Sequence, residues 1–196
     1  MTVVDVLITT NYTEYLTECL NSIPKSDNIN IHLLFHNTKK EEVDHPNIKS
    51  VNEFNGKTVS EARMFLYKSV YAKSKCVLFL DSDDMLKENY FEETLRYFDE
   101  YQEFNLFHTD FSVLNTISEY EYPAFGTNAK LGFIKNPMIR VSNKKVLSFN
   151  ADLKHDEYAP IYSQIGYENI FHIPKNLQVV RDHLKSHERT RRSGNK

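Results

Sequence analysis

The sequence predicts an α/β fold with a mostly parallel central sheet flanked by helices. Across residues 1–114, short apolar runs alternate with amphipathic segments, which is the pattern of βαβ units. One run, Cys76–Leu80, is apolar at five successive positions, as expected of a strand that is buried on both faces. The chain of 196 residues is long enough for one well-buried domain. We therefore expect a single domain over residues 1–184, followed by a basic tail at 185–196.

The first part of the chain supplies five predicted strands and three predicted helices. The strands are Val3–Thr9, Ile29–Phe35, Ile48–Val51, Cys76–Leu80 and Leu106–Leu114. The helices have apolar residues at helical spacing, and they lie between Thr13 and Pro24, between Lys57 and about Ala72, and from about Lys87 to Glu103. Thr13 is predicted to cap the first helix, and Asn55-Gly56-Lys57 forms the turn before the second.

The chain after residue 114 is less regular. Residues 119–130 are aromatic and polar and contain a proline and a glycine, so we predict a loop or lid there. The other predictions are a strand at Phe133–Val141 broken at Pro137, a short helical turn at Asn143–Phe149, a helix that starts at His155-Asp156-Glu157, and two short strands at Ile170–Ile173 and Asn176–His183. No internal repeat or low-complexity linker separates these segments.

Three carboxylates, Asp81, Asp83 and Asp84, follow the apolar run Cys76–Leu80 directly. Residues i and i+2 of an extended segment point the same way, so the side chains of Asp81 and Asp83 are expected to face one point. Two carboxylates in that position repel each other unless a cation lies between them. Open α/β folds place their ligands at the carboxyl edge of the sheet, so the sequence predicts a divalent cation held there by oxygen ligands.

The composition excludes several classes of protein. A net charge of −3 argues against a surface that coats nucleic acid, although residues 185–196 carry five Lys or Arg and one Glu. The two cysteines, Cys19 and Cys76, lie within apolar patterns, which is typical of reduced core thiols in a cytosolic protein. The sequence has no basic leader and no long apolar run, so we expect a cytoplasmic protein with no membrane span.

Five segments together resemble a known family. They are Val6–Ile23, Asn55-Gly56-Lys57 with Ser60-Glu61-Ala62-Arg63, Phe79-Leu80-Asp81-Ser82-Asp83-Asp84, Asp156-Glu157-Tyr158, and Arg181-Asp182-His183 with Ser186. In this order they resemble the motifs of the family-2 glycosyltransferases, which have the GT-A fold. The segment Phe79–Asp84 matches the DxD signature of that family with its flanks intact, and it is the most specific of the five.

The sequence also departs from the family pattern at three places. The first turn is Thr-Thr-Asn-Tyr rather than Pro-Thr-Tyr-Asn. His36-Asn37 follows the second strand, where the family usually has an acidic residue that contacts the nucleotide base. The acidic pair Asp156-Glu157 is inverted relative to the family's Glu-Asp, and Glu157 occupies the position of the catalytic base.

The resemblance implies a metal-dependent, inverting glycosyltransferase that uses a nucleotide-diphosphate sugar such as a UDP sugar. Residues 1–114 would be the Rossmann-like half that binds the nucleotide-sugar, and residues 115–184 the half that binds the acceptor. Asp83, Asp81 and His183 would hold Mn²⁺ or Mg²⁺. Glu157, or its neighbour Asp156, would be the general base. The implied donor-binding residues are Thr9, Asn11, Tyr12, Asn37, Lys57, Arg63, Asp81 and Ser82.

Several alternatives remain open at the level of sequence. The acceptor is either a precursor of a surface glycan or a hydroxymethylated base in DNA, which the tail at 185–196 would contact, and the sugar is either a hexose or a pentose. The alternative to an enzyme is a catalytically degenerate module that binds a nucleotide. The plainest interpretation of Asp81–Asp84 is a solvated turn in which Asp84 caps the next helix, and that of Arg63 is a charge on the helix surface.

Overall fold

The computed structural model describes residues 2–114, 119–122, 134–141, 147–148 and 158–182. The strands are β1 (Val4–Thr10), β2 (Ile29–His36), β3 (Ile48–Phe54), β4 (Cys76–Asp81), β5 (Met85–Leu86), β6 (Leu106–Leu114), β7 (Glu119–Tyr122), β8 (Met138–Arg140) and β9 (Ile170–Arg181). The helices are α1 (Leu16–Asn21), α2 (Val59–Val70), α3 (Tyr90–Glu100) and α4 (Ala159–Ile165), with a 3-10 turn at Tyr167–Asn169. Within the described ranges, no helix has the length and apolar character needed to cross a membrane.

The described strands form one sheet in the order β3-β2-β1-β4-β8-β6-β9-β5, and β7 pairs with β6. Neighbouring strands among β3, β2, β1 and β4 are parallel, and so are β6 and β9. β8 lies antiparallel between β4 and β6 and joins the two parallel sets. This arrangement confirms the predicted α/β fold with a mostly parallel central sheet flanked by helices. The carboxyl ends of β1, β2 and β4 consequently meet at one edge.

Apolar side chains pack on both faces of this sheet. On one face, the strands pack against Leu16, Cys19 and Leu20 of α1 and against α3. On the other face, they pack against α2 and α4. The residues of β4 contribute alternately to the two clusters, and Cys76–Leu80 are all buried, as the unbroken apolar run predicts. The central strand is thus fixed on both sides immediately before the acidic residues.

The start of α1 differs from the prediction, whereas α2 starts after the predicted turn. Thr13 does not cap α1 with its side chain, because its hydroxyl donates to Glu41 (2.8 Å) and α1 begins three residues later at Leu16. α2 begins with a capping box in which the Thr58 hydroxyl accepts the Glu61 N–H and the Glu61 carboxylate accepts the Thr58 N–H. The turn at Asn55-Gly56-Lys57 is therefore followed directly by a well-defined helix start.

Three strands, β9, β7 and β5, differ from the prediction. The two predicted strands at 170–173 and 176–183 form one strand, β9, whose register against β6 shifts between Ile173 and Asn176. This irregularity accommodates Pro174, which has no N–H for the ladder. Residues 119–122 of the predicted loop or lid form β7, and two residues after the acidic turn form β5. The rest of the lid, most of the turn at 143–149 and residues 155–157 lie outside the described residues.

Candidate functional site

Most of the predicted donor-binding residues lie at the carboxyl edge of the parallel strands. Thr9 is near the end of β1 and is the register partner of Asp81 in β4. Asn11 and Tyr12 follow β1, Asn37 follows β2, and Lys57 lies just before α2. The fold therefore brings together segments that are up to about seventy positions apart, which follows from the parallel order β2-β1-β4.

The acidic segment after β4 folds as a tight turn. The Asp84 N–H donates to the Asp81 carbonyl at 3.1 Å, and one carboxylate oxygen from each of Asp81, Asp83 and Asp84 lies within 4.8 Å of the others. The predicted convergence of Asp81 and Asp83 is present, but its cause is this turn and not the alternation of an extended strand. Asp84 joins the two predicted residues because the turn also directs its side chain inwards.

Asp84 is the most buried of the three carboxylates, at 2% exposed. Its oxygens accept hydrogen bonds from the Arg181 N–H (3.0 Å) and from the Asn136 amide (2.9 Å). Burial, and then the charges of Asp83 and Asp81, raise the pKa of Asp84 well above its usual range. Asp84 is therefore not a helix cap, and α3 starts after Asn89 without it. A bound cation would offset the part of this shift that comes from the neighbouring carboxylates.

Arg63 lies inside this cluster and not on the helix surface. Its guanidinium group forms an ion pair with the Asp81 carboxylate and lies 4.6 Å from the centre of the Tyr158 ring. The Tyr158 hydroxyl is 3.5 Å from the same carboxylate. Burial, and to a smaller extent the charge of Asp81, raise the pKa of Tyr158 well above its usual range, although Arg63 opposes this. The sequence placed Tyr158 in the segment Asp156-Glu157-Tyr158 and predicted no site role for it.

Arg181 connects the acidic turn to α1. Its Nε donates to the Asp83 carbonyl at 3.3 Å, its terminal nitrogen bonds the carboxylate of Glu18, and its guanidinium lies 4.1 Å from the ring of Tyr15. The rings of Tyr15 and Tyr12 are in edge contact, with centroids 5.9 Å apart. The predicted donor residue Tyr12 is thereby joined to the acidic turn through two aromatic and cationic contacts.

The side chain of Asn37 holds the turn before α2 by hydrogen bonds to the backbone of Gly56. Its amide nitrogen donates to the Gly56 carbonyl at 2.7 Å, and its side-chain oxygen accepts the Gly56 N–H at 3.2 Å. Asn37 itself has a φ of 54°, in the left-handed region that asparagine tolerates. A Cβ at Gly56 would clash with the ring of Phe54, so this close approach requires glycine. Lys57, next in the chain, is exposed beside this turn, whereas Ser82 is buried within the acidic turn.

Three predicted residues are not among those that the structure describes. They are Asp156 and Glu157, the two choices for the base, and His183, the predicted third metal ligand. The predicted helix starts at His155-Asp156-Glu157; among the described residues its helical part is α4, which begins at Ala159 after Tyr158. The roles of all three residues stay predictions.

Asn136 and Gln178 are site residues that sequence reasoning missed. Both are completely buried, and the Asn136 amide bridges the acidic turn to Gln178. The one local signal for Asn136 is its position before Pro137 in a broken strand. A buried asparagine at that point requires partners, and these lie far away in the sequence.

The three carboxylates fit a divalent cation. Hard oxygen donors suit Mg²⁺ and Mn²⁺, and Asp81, Asp83 and Asp84 form the one group of three acidic, His or Cys residues with ligand-like spacing in the described part of the chain. A cleft of about 500 Å³ exists at the opposite edge of the sheet, with Asp5 and His32 on its floor. Asp5 there is already bonded to His32 (2.9 Å) and to Ser74 (2.6 Å), so the cleft offers no unpaired acid.

Comparison with solved structures identifies the class of fold. No protein-family model matches the chain, and no curated protein matches its sequence. Solved structures do match over nearly the whole chain, and they share its Rossmann-like α/β fold. The predicted fold class is thereby confirmed.

Among the matching structures are three of S. aureus TarS, residues 1–349. The complex with UDP-GlcNAc has a TM-score of 0.71 and 18% identity and covers 95% of this chain. The complex with UDP has a TM-score of 0.69 and 16% identity and covers 94%. A further structure of the same TarS segment has a TM-score of 0.66 and 16% identity and covers 92%. This chain spans only about 60% of the length of these TarS chains.

Proposed function

We propose that this protein is a metal-dependent glycosyltransferase that moves a sugar from a nucleotide-diphosphate sugar, most simply a UDP sugar, to an acceptor hydroxyl. The observation that carries the proposal is the convergence of Asp81, Asp83 and Asp84 within 4.8 Å at the carboxyl edge of the sheet. The fold adds support, because TarS, which shares it, has been solved with UDP-GlcNAc and with UDP.

The acidic turn would serve the leaving group. Asp83 and Asp81 would hold Mn²⁺ or Mg²⁺, with His183 as a third ligand. A cation there supplies Lewis-acid stabilisation to a departing diphosphate, an effect of several kcal/mol. Arg63 adds a fixed positive charge, because its ion pair with Asp81 holds the guanidinium at the site. Thr9, Asn11, Tyr12 and Lys57, all at the same edge, would line the nucleotide pocket.

The acceptor side would need only one base. Glu157, or Asp156, would take the proton of the attacking hydroxyl, and a positioned base typically contributes about 10² to 10⁴ in rate. A single displacement by that hydroxyl inverts the configuration of the sugar. The start of α4 at Ala159, with Tyr158 buried against Arg63, anchors the chain just after the acidic pair. The acceptor would be a glycan or a hydroxymethylated DNA base, and the sugar a hexose or a pentose.

Calorimetry with nucleoside diphosphates tests the donor site. UDP should bind the protein in the presence of Mn²⁺, and removal of the cation with a chelator should weaken that binding strongly. GDP provides the comparison for the base, since His36-Asn37 replaces the acidic residue of the family. A protein that binds neither nucleotide, with or without Mn²⁺, would contradict the proposal.

Turnover then separates the enzyme from a degenerate binding module. The enzyme should hydrolyse or transfer from a UDP sugar, and Asp83→Ala should abolish this activity while the protein remains folded. Binding of UDP without turnover against many acceptors would favour the module. For a DNA acceptor, the full chain should shift DNA in a salt-sensitive way, and the absence of a shift would leave the glycan acceptor.

A further inference from the structure

We propose that Asn136 is a positioning residue that holds the Asp81–Asp84 turn in the shape that binds a cation. The inference rests on the proposed function in one respect, namely that the acidic turn has a cation to bind. It concerns a residue that lies 52 positions from Asp84 in the sequence and that belongs to the segment before β8.

The backbone of Asn136 is fixed in an unusual conformation beside β4. Its φ is 43°, in the left-handed region, and its side chain is completely buried. The next residue, Pro137, accepts the Phe79 N–H with its carbonyl at 3.1 Å, which attaches this segment to β4. Asparagine and glycine are the residues that adopt this conformation most readily, so the backbone alone restricts the choice at position 136.

The side chain of Asn136 uses both ends of its amide on the acidic turn. Its oxygen accepts the Asp81 N–H at 2.9 Å, and its nitrogen donates to Asp84 Oδ2 at 2.9 Å. The same nitrogen donates to Gln178 Oε1 at 3.0 Å. An amide combines one acceptor with two donors, which is the set that these three contacts require.

Gln178 in turn fixes the orientation of that amide. Its nitrogen donates to the Thr109 hydroxyl at 3.0 Å and to the Lys135 carbonyl at 3.3 Å, so its oxygen must face Asn136. β9 also supplies the Arg181 N–H to the other oxygen of Asp84. Asp84 is therefore held from two directions by neutral donors, and its position sets how closely Asp81 and Asp83 approach it.

This support matters because the three carboxylates repel one another. In the absence of a cation, they would separate if the turn were free to relax. The hydrogen bonds from Asn136 and Arg181 oppose this separation and preserve the ligand geometry before a cation arrives. Asn136 thus acts on the cation through Asp81 and Asp84 and does not itself need to touch it.

The test is a titration of the protein with Mn²⁺, in which electron paramagnetic resonance measures the concentration of the free ion at each step. Asn136→Gly removes the amide but keeps the left-handed backbone, and we expect it to bind Mn²⁺ about 10- to 100-fold more weakly than the wild type. Gln178→Leu leaves the amide in place but frees its orientation, and a smaller loss is expected. Thr94→Ala is the control, because the Thr94 hydroxyl is buried in α3 and, within the described part of the chain, bonds the Tyr90 carbonyl alone.

Urea denaturation of each variant separates positioning from general destabilisation. Thr94→Ala should lose stability and keep the Mn²⁺ affinity of the wild type, whereas Asn136→Gly should lose affinity. The inference is overturned if Asn136→Gly binds Mn²⁺ as tightly as the wild type, or if the wild type binds none. Should Asn136→Gly fail to fold, unchanged affinity in Gln178→Leu would overturn it.

The proposed function can fail separately from this inference. A wild-type protein that binds Mn²⁺, loses the ion in Asn136→Gly and yet binds no nucleoside diphosphate would retain the positioning role of Asn136. That result would remove the sugar-transfer function. Conversely, tight binding of UDP in Mn²⁺ with no effect of Asn136→Gly on the ion would retain the function and remove the positioning role.

Discussion

Mild acid should destabilise the folded protein through His108. This side chain lies in β6 and is 3% exposed, and neither of its ring nitrogens has a hydrogen-bond partner among the described residues. Its ring stacks on that of His172, with centroids 4.9 Å apart. Burial, and then the neighbouring His172, lower the pKa of His108 to about 3.

The size and direction of the effect follow from this pKa. In the unfolded chain, the pKa of a histidine is about 6.5, so between pH 6.5 and pH 3 the unfolded state binds a proton that the folded state does not. The free energy of unfolding therefore decreases as the pH falls through this window, and it is unaffected by His108 well above pH 6.5. The loss due to His108 is about 2 kcal/mol at pH 5.

The variant His108→Leu isolates this contribution. Urea denaturation of the wild type and the variant at pH 7.5 and at pH 5.0 gives four free energies of unfolding. We expect the variant to lose about 2 kcal/mol less than the wild type between the two pH values. At pH 7.5 it should be neutral or slightly stabilising, because two buried nitrogens without partners are replaced by an apolar side chain of similar volume.

Two results would refute the reasoning about His108. The first is an equal loss of stability in wild type and variant between pH 7.5 and pH 5.0. The second is a strong destabilisation of the variant at pH 7.5, which would show that the imidazole makes a favourable contact in the folded state. Burial raises the pKa of Asp5, but hydrogen bonds from His32 and Ser74 outweigh it and the net pKa is lowered. Asp5 also titrates on acidification, but it is present in both proteins, so its effect cancels in the comparison.

Three further predictions concern other parts of the chain. Thr58→Ala removes the capping box of α2 and should lower the free energy of unfolding by about 1 kcal/mol in urea, whereas Thr58→Ser should retain most of it. Arg63→Met removes the ion-pair partner of Asp81. The Mn²⁺ affinity, measured by paramagnetic resonance titration, should therefore rise, and the UDP affinity, measured by calorimetry, should fall. An equal loss of affinity for Mn²⁺ and for UDP would contradict the placement of Arg63. Cys19 and Cys76 are fully buried, and burial raises the pKa of both thiols. Both should therefore react with a disulfide reagent at pH 8 only after addition of urea. Rapid labelling of the folded protein would be inconsistent with this packing.

The sequence predicted the central strand and the acidic turn because both depend on neighbouring residues. Five successive apolar residues, Cys76–Leu80, require burial on both faces of a strand, and the structure buries all five. Because the three aspartates follow this strand directly, they lie at the edge of the sheet. Thr13 shows the limit of the same reasoning. A threonine before an apolar pattern predicts a helix cap. The Thr13 hydroxyl instead donates to Glu41, which lies 28 positions away in the sequence, and α1 begins at Leu16.

The supports of the site could not be predicted in this way. Asn136 and Arg181 reach Asp84 from 52 and 97 positions away, and no local pattern encodes such distances. Asp84 consequently looked like a solvated cap, although it is buried between two donors. The two-residue strand β5 was missed because a strand so short has no periodicity of its own, and it exists only where β9 pairs with it.

The position of β9 in the chain has a consequence for how the protein matures. A chain that has been synthesised only as far as Asp84 can already pair β1, β2, β3 and β4, and it carries all three aspartates. It lacks both Arg181 and Gln178, so nothing yet orders the acidic turn from the other side. The contacts that hold the acidic turn in place are therefore completed late in synthesis, when β9 docks between β6 and β5.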